Sequence, residues 1–132
     1  MMQDSQLPLL TFNSLYNILR EEKRIKSLQT LPELFYEALE KFLEDKKEEI
    51  KKLKTSGEMD KLRKENNILK NSKKISTEII NLRCVKISNI AIKNELFGDE
   101  TLSNQNILEK EMEFLEGIKK NTKKLKSNIK NL

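Results

Sequence analysis

Residues 58 to 97 run for forty positions without a glycine or a proline. Nothing in that stretch obliges a helix to stop, and at 1.5 Å per residue one helix over it would span about 60 Å. Such a rod needs other helices to cover it. The rest of the chain is just as short of turn-formers, with three Gly and two Pro in 132 residues, 5% aromatics and 36% charged residues, so the punctuation of a many-stranded sheet is missing. The expected fold class is all-α, a helical bundle of about four to five helices with a long central helix. A chain of this length normally makes one domain with one modest core.

The long stretch has two characters. From Lys64 to Lys74 it is polar, with Asn66, Asn67, Asn71 and Ser72, weak helix formers that favour caps and turns, so a kink or a change of helix is expected there. From Ile75 to Leu96 it is densely apolar, which predicts a helix buried on several sides. Phe97-Gly98 supplies a stop with Gly at the C-cap position.

The flanking segments read as amphipathic helices. Residues 1–11 are expected to be a flexible tail. Thr11 is a fair N-cap, with Leu10 and Leu15 placed as a hydrophobic staple, and Leu15, Ile18, Leu19 and Ile25 keep to one face of a helix ending near Ser27. Pro32 suits the first turn of a second helix, in which Phe35, Ala38, Leu39, Phe42, Leu43, Ile50 and Leu53 recur at three- and four-residue steps until Thr55-Ser56-Gly57 breaks it. Leu102 to Gln105 reads as a loop. Asn106 with Glu109 then resembles a capping box, and Leu108, Met112, Leu115, Ile118, Leu125, Ile129 and Leu132 hold one face to the end. Gly117 inside that helix suggests a close helix crossing.

Several chemistries drop out. One cysteine closes no internal disulfide, and zero histidines leave out imidazole ligands, Ser-His and Cys-His nucleophiles and a structural zinc site. No paired-carboxylate motif or Gly-rich phosphate loop is present. The chain is therefore expected to be no enzyme, to need no cofactor or metal, and, lacking an apolar span or leader, to have no membrane partner. Cys84, within Leu82-Arg83-Cys84-Val85, reads as packing.

The net charge of +5 is nearly matched by residues 117–132, which carry six lysines against no acid. Lys119, Lys120, Lys123 and Lys124 are the candidates for DNA contact, because closely spaced cations displace counterions from phosphate. A solvated helix face is the plainer reading. Arg83 and Lys86 stand at i and i+3 in the most apolar stretch and must snorkel or pair with acids, with Glu37 or Glu40 of the second helix as expected partners for Arg83.

Four strings in order carry a resemblance: Leu15-Tyr16-x-x-Leu19-Arg20-Glu21-Glu22-Lys23, Leu28-Gln29-x-Leu31-Pro32, Leu31-Pro32-Glu33-Leu34-Phe35-Tyr36-Glu37, and Arg83-x-x-Lys86-Ile87-x-x-Ile90-Ala91. Their order resembles the helical domain of GINS subunits, replication factors that clamp the MCM helicase, and in particular archaeal subunits whose helical domain comes first. The resemblance covers residues 12 to about 120 and makes 12–132 a GINS-like helical domain. The family's small β-rich domain has no strand pattern to represent it beyond residue 100, so the chain is expected to be a fragment or a reduced member. The resemblance implies a non-catalytic scaffold that joins copies of itself or a sister subunit in a tetramer, a dimer of dimers, with the MCM helicase and a RecJ-like partner. It implies a cytoplasmic, nucleoid-associated location, nuclear if the source is eukaryotic. The interface candidates are Tyr36, Arg83, Lys86, Ile87, Leu115 and Ile118. The alternative is a basic helical-bundle or coiled-coil nucleic-acid-binding protein.

Overall fold

The first helix starts where a capping box can form. Thr11 Oγ1 accepts the Ser14 amide at 3.0 Å while Ser14 Oγ accepts the Thr11 amide at 2.7 Å, which satisfies donors that a helix start leaves open. In the computed structural model, which describes residues 7–98 and 106–129, this is helix α1, Phe12–Arg24. It is followed by α2, Phe35–Ser56, α3, Met59–Phe97, and α4, Glu109–Ser127. The described residues contain four helices and no strand. The flexible tail lies largely, and the 102–105 loop wholly, outside the described residues.

Leu10 and Leu15 both enter the main core, as a staple should. Pro32 stands before α2 rather than in its first turn: its carbonyl accepts the Phe35 amide at 3.0 Å, a turn that launches the helix. Gly57 ends α2 with φ of +77°, a conformation that only glycine adopts without strain.

Helix α3 runs unbroken through Lys64–Lys74, so the expected interruption does not occur. Its small polar residues turn inward on the backbone instead: Ser76 donates to the Ser72 carbonyl at 2.7 Å and Thr77 to the Lys73 carbonyl at 3.0 Å. Across the hairpin, Lys46 of α2 reaches Glu65 at 3.0 Å. The apolar half is less enclosed than its composition predicts. Ile75, Ile79, Ile87 and Ala91 are buried, but Val85, Ile92 and Leu96 stand exposed on the opposite side.

Two apolar clusters hold the helices. The larger joins Leu15 and Leu19 of α1, Phe35, Leu39 and Phe42 of α2, and Ile75 and Ile79 of α3. The smaller joins Leu28, Ile87, Ala91 and Leu115. On α3 the position between Ile79 and Ile87 is Arg83, so the two oily regions are separated by a charge.

Helix α4 runs alongside the end of α3 in the same direction, since Glu111 meets Arg83 and Lys123 lies 3.6 Å from Glu95. It begins later than the Asn106 capping box would place it. Asn106 adopts φ of +70° and its side chain donates to the Leu28 carbonyl at 3.1 Å. Leu108 becomes the N-cap, and the Glu111 carboxylate reaches back to its amide at 2.9 Å.

Candidate functional site

Arg83 has no exposed side-chain surface, and each of its five N–H donors has a partner. Nε and Nη2 grip the two oxygens of Glu111 at 2.7 and 2.9 Å, the bidentate fork that a carboxylate suits best. Nη1 donates to Glu22 at 2.8 Å and to the Gln29 carbonyl at 3.1 Å, and Nη2 also donates to the Asn106 carbonyl at 2.7 Å. One side chain therefore joins α1, the α1–α2 connection, α3 and the start of α4.

Lys86 adds a second tie one turn on. Its ammonium donates to Glu22 Oε2 at 2.6 Å and to the carbonyls of Glu22, Ile25 and Ser27 at 2.7 to 2.9 Å. The first two are open acceptors at the end of α1, where a cation also complements the helix dipole, and the third lies in the connection that follows. Gln29 closes the ring: its amide nitrogen donates to Glu22 at 3.0 Å and to the Ile18 carbonyl at 2.7 Å. Tyr36 donates its hydroxyl to Glu111 at 2.6 Å.

The charges balance, with Arg83 and Lys86 against Glu22 and Glu111. Burial works to raise the Glu22 carboxyl, but hydrogen bonds from Lys86, Arg83 and Gln29 outweigh it and hold the group below the usual carboxylate range. Glu111 is held low in the same way, by Arg83, Tyr36 and the Leu108 amide against burial. Burial first, and then the hydrogen bond to Glu111, push the Tyr36 phenol well above its ordinary value. Burial likewise raises the Cys84 thiol, which disfavours a reactive thiolate.

Sequence reasoning expected Arg83 to pair with Glu37 or Glu40. Its partners are Glu22 and Glu111 instead. Their signal was present: each is a lone acid on an apolar helical face, Glu22 three residues after Leu19 and Glu111 four before Leu115. The interface candidates also divide. Arg83, Ile87 and Leu115 are at most 1% exposed, so they are interior to this chain and present no surface to another. Lys86 is spent on α1, and Ile118 packs at the edge of the smaller cluster.

Tyr36 borders an open feature, at whose floor the buried Ile87 also lies. A groove of about 440 Å³ lies between α2, α3 and α4, lined by Tyr36, Glu40, Ile80, Cys84, Lys110 and Phe114 among others. The candidate DNA lysines are not one strip. Lys119 is 6% exposed with Glu116 at 3.9 Å, and Lys123 engages Glu95, which leaves Lys120 and Lys124 facing solvent. A second basic surface occupies the α2–α3 hairpin: residues 51–74 carry nine Lys and Arg against three acids, and all nine are exposed.

No described helix is long and apolar enough to cross a membrane. In comparisons of the chain with family models, curated proteins and solved structures, nothing matches.

Proposed function

We propose that this chain is a non-catalytic scaffold subunit of a GINS-like complex that supports the MCM replicative helicase in chromosomal DNA replication. The observation that carries this reading is the meeting of the four resembling strings. Glu22, Gln29, Tyr36, Arg83 and Lys86 come one or two from each, and they enter one hydrogen-bonded network although up to 64 positions separate them. A network whose donors are filled and whose core is Arg83, without exposed surface, offers little to a substrate and much to helix placement. Its partners would be copies of itself or a sister subunit, the MCM helicase and a RecJ-like protein, at the nucleoid. The test is affinity capture of the tagged full chain from its native host with mass spectrometry of what is retained. An MCM-type helicase with a sister subunit or a RecJ-like protein is the expected catch, and a chain recovered alone as a monomer would overturn the reading.

One observation favours a second reading, that of a nucleic-acid-binding helical bundle: the nine exposed cations of the α2–α3 hairpin. Binding driven by them would weaken linearly in log salt, with a slope falling by about 0.7–0.9 for each phosphate contact removed. Changing Arg63, Lys70 and Lys74 to Glu would then flatten that slope. DNA affinity that is negligible at low salt would eliminate this reading.

A further inference from the structure

Gly117 has no explanation inside its own chain. A Cβ built there meets nothing within 4 Å, so the close crossing that the sequence suggested is not made by any described element of the same molecule. Glycine is the poorest helix former after proline, and a crossing is what a helix-interior glycine accommodates. The side of α4 that bears it is also the wrong one for a solvated face. Phe114 and Leu125 share it, 40% and 68% exposed, with Asn121 between them, and the steps from Phe114 to Gly117, Asn121 and Leu125 are three, four and four. That is the spacing of a helix-pairing seam, and it flanks the face of Leu115, which is buried in the smaller cluster with Ile87 and Ala91 of α3.

Charge along α4 selects the occupant. Before Gly117 the helix presents three exposed acids, Glu109, Glu113 and Glu116, against Lys110, Glu111 being buried on Arg83, and after it Lys120 and Lys124 face solvent in a stretch that carries no acid. Two such helices side by side in parallel would set lysine against lysine. Antiparallel, each acidic half lies on the other's basic half. Glu113, Lys120 and Lys124 are exposed and have no ion-pair partner among the described residues, so they are free for this use.

We infer that a second copy of this chain docks on this face, with the two α4 helices crossing antiparallel about a two-fold axis between Gly117 and Asn121, so that each Gly117 faces the partner's Asn121. Each Phe114 meets the partner's Leu125, and each Glu113 approaches the partner's Lys124, because an isologous contact repeats itself on both sides of the axis. The groove beside Phe114 then lies within reach of the partner's Ile129, which is 56% exposed in the single chain. This deepens the scaffold reading and rests on it for its biological setting, while the contact itself is independent of which helicase is served.

The experiment is sedimentation equilibrium on the full chain, with circular dichroism to check folding. Wild-type protein is expected to self-associate, and Phe114→Glu with Leu125→Glu, both at exposed positions, to weaken association at least tenfold with helix content unchanged. Glu113→Lys and Lys124→Glu should each weaken it, and the two together should restore it. Gly117→Ala should raise the thermal midpoint of the dilute monomer and yet loosen the dimer, two effects of opposite sign that a solvent-facing glycine would not produce. A wild-type chain that stays monomeric, or seam variants that leave the mass unchanged, overturn the inference. A monomer that still captures the helicase overturns this interface and leaves the scaffold reading standing. A dimer dissolved by the seam variants that captures no helicase supports the interface and sinks that reading.

Discussion

Helix α3 takes part in two kinds of ionic contact, one in each half. Near its start, Glu65 receives Lys46 of α2 at 3.0 Å with the lysine side chain 22% exposed; near its middle, Arg83 receives Glu22 and Glu111 at 2.8 and 2.7 Å with almost no exposure on any of the three. The distances are alike and the consequences are not. Water reaches the lysine end of the first pair and screens it in part, although Glu65 itself is only 11% exposed. The second is surrounded by hydrocarbon, so removing one member strands the others without solvation. Burial, more than distance, separates a contact that decorates a hairpin from one that fixes four segments of chain.

The largest expected effect follows directly. Arg83→Met should destabilise the domain by about 3–5 kcal/mol, the usual cost of leaving a buried charge unpartnered, a large share of the total stability of a small domain. Chemical denaturation followed by circular dichroism measures it. A loss below about 1 kcal/mol would place Arg83 in the same category as Lys46 and dissolve the contrast.

Acid sharpens the same comparison. Glu22 and Glu111 are held below the ordinary carboxylate value of 4.5 in the folded chain. Their ionised forms therefore contribute stability that is fully present above that value and is lost as pH falls through the lowered ones. Wild-type stability should hold from pH 7 to about 5 and then fall as acid protonates the unfolded carboxylates. Without Arg83, burial loses its largest opponent at Glu111, whose carboxyl then rises, while Lys86 and Gln29 still hold Glu22. The gap between wild type and Arg83→Met should narrow between pH 7 and 5, and a gap that widens would show that the Glu111 carboxylate does not depend on the guanidinium.

Tyr36→Phe should cost less, about 1.5 kcal/mol, near the lower end for a hydrogen bond to a charged acceptor. The Glu111 oxygen it leaves still has Arg83 Nε at 2.7 Å. Thermal melts of the two proteins measure the difference. A neutral result would mean that the hydroxyl is as well served by water at the groove as by the carboxylate.

How much of this was legible depends on whether the signal is local. The stripes of α1 and α2, the glycine stop at 57 and the all-helical class follow from spacing within single segments, so the sequence contains them in full. The continuity of α3 was misjudged because Asn66, Asn67 and Ser72 favour turns in isolation, while α2 packed alongside and the Lys46–Glu65 contact favour the helix. The partners of Arg83 were misjudged because they lie 61 and 28 positions away on helices whose register against α3 no short window specifies. An acid on an apolar face announces that a partner exists without saying where.

The smallest expected effect belongs to the hairpin pair. Lys46→Met keeps the apolar stem that packs between α2 and α3 and removes only the ammonium, so the loss should be about 0.5 kcal/mol, within the range of partly exposed ion pairs. Burial alone would lower the lysine, but Glu65 and Glu49 outweigh it and raise it above the ordinary 10.5. A raised lysine contributes stability that is fully present below its unfolded value and fades as pH climbs through the raised one, so the small difference between wild type and variant should be flat from pH 6 to 9 and vanish in strong alkali. Added salt should erode it as well. A double-mutant cycle with Glu65→Gln isolates the pair from the stem. A coupling approaching that of Arg83 would mean that the first half of α3 is as dry as the second, and the contrast between the two halves would fail at its base.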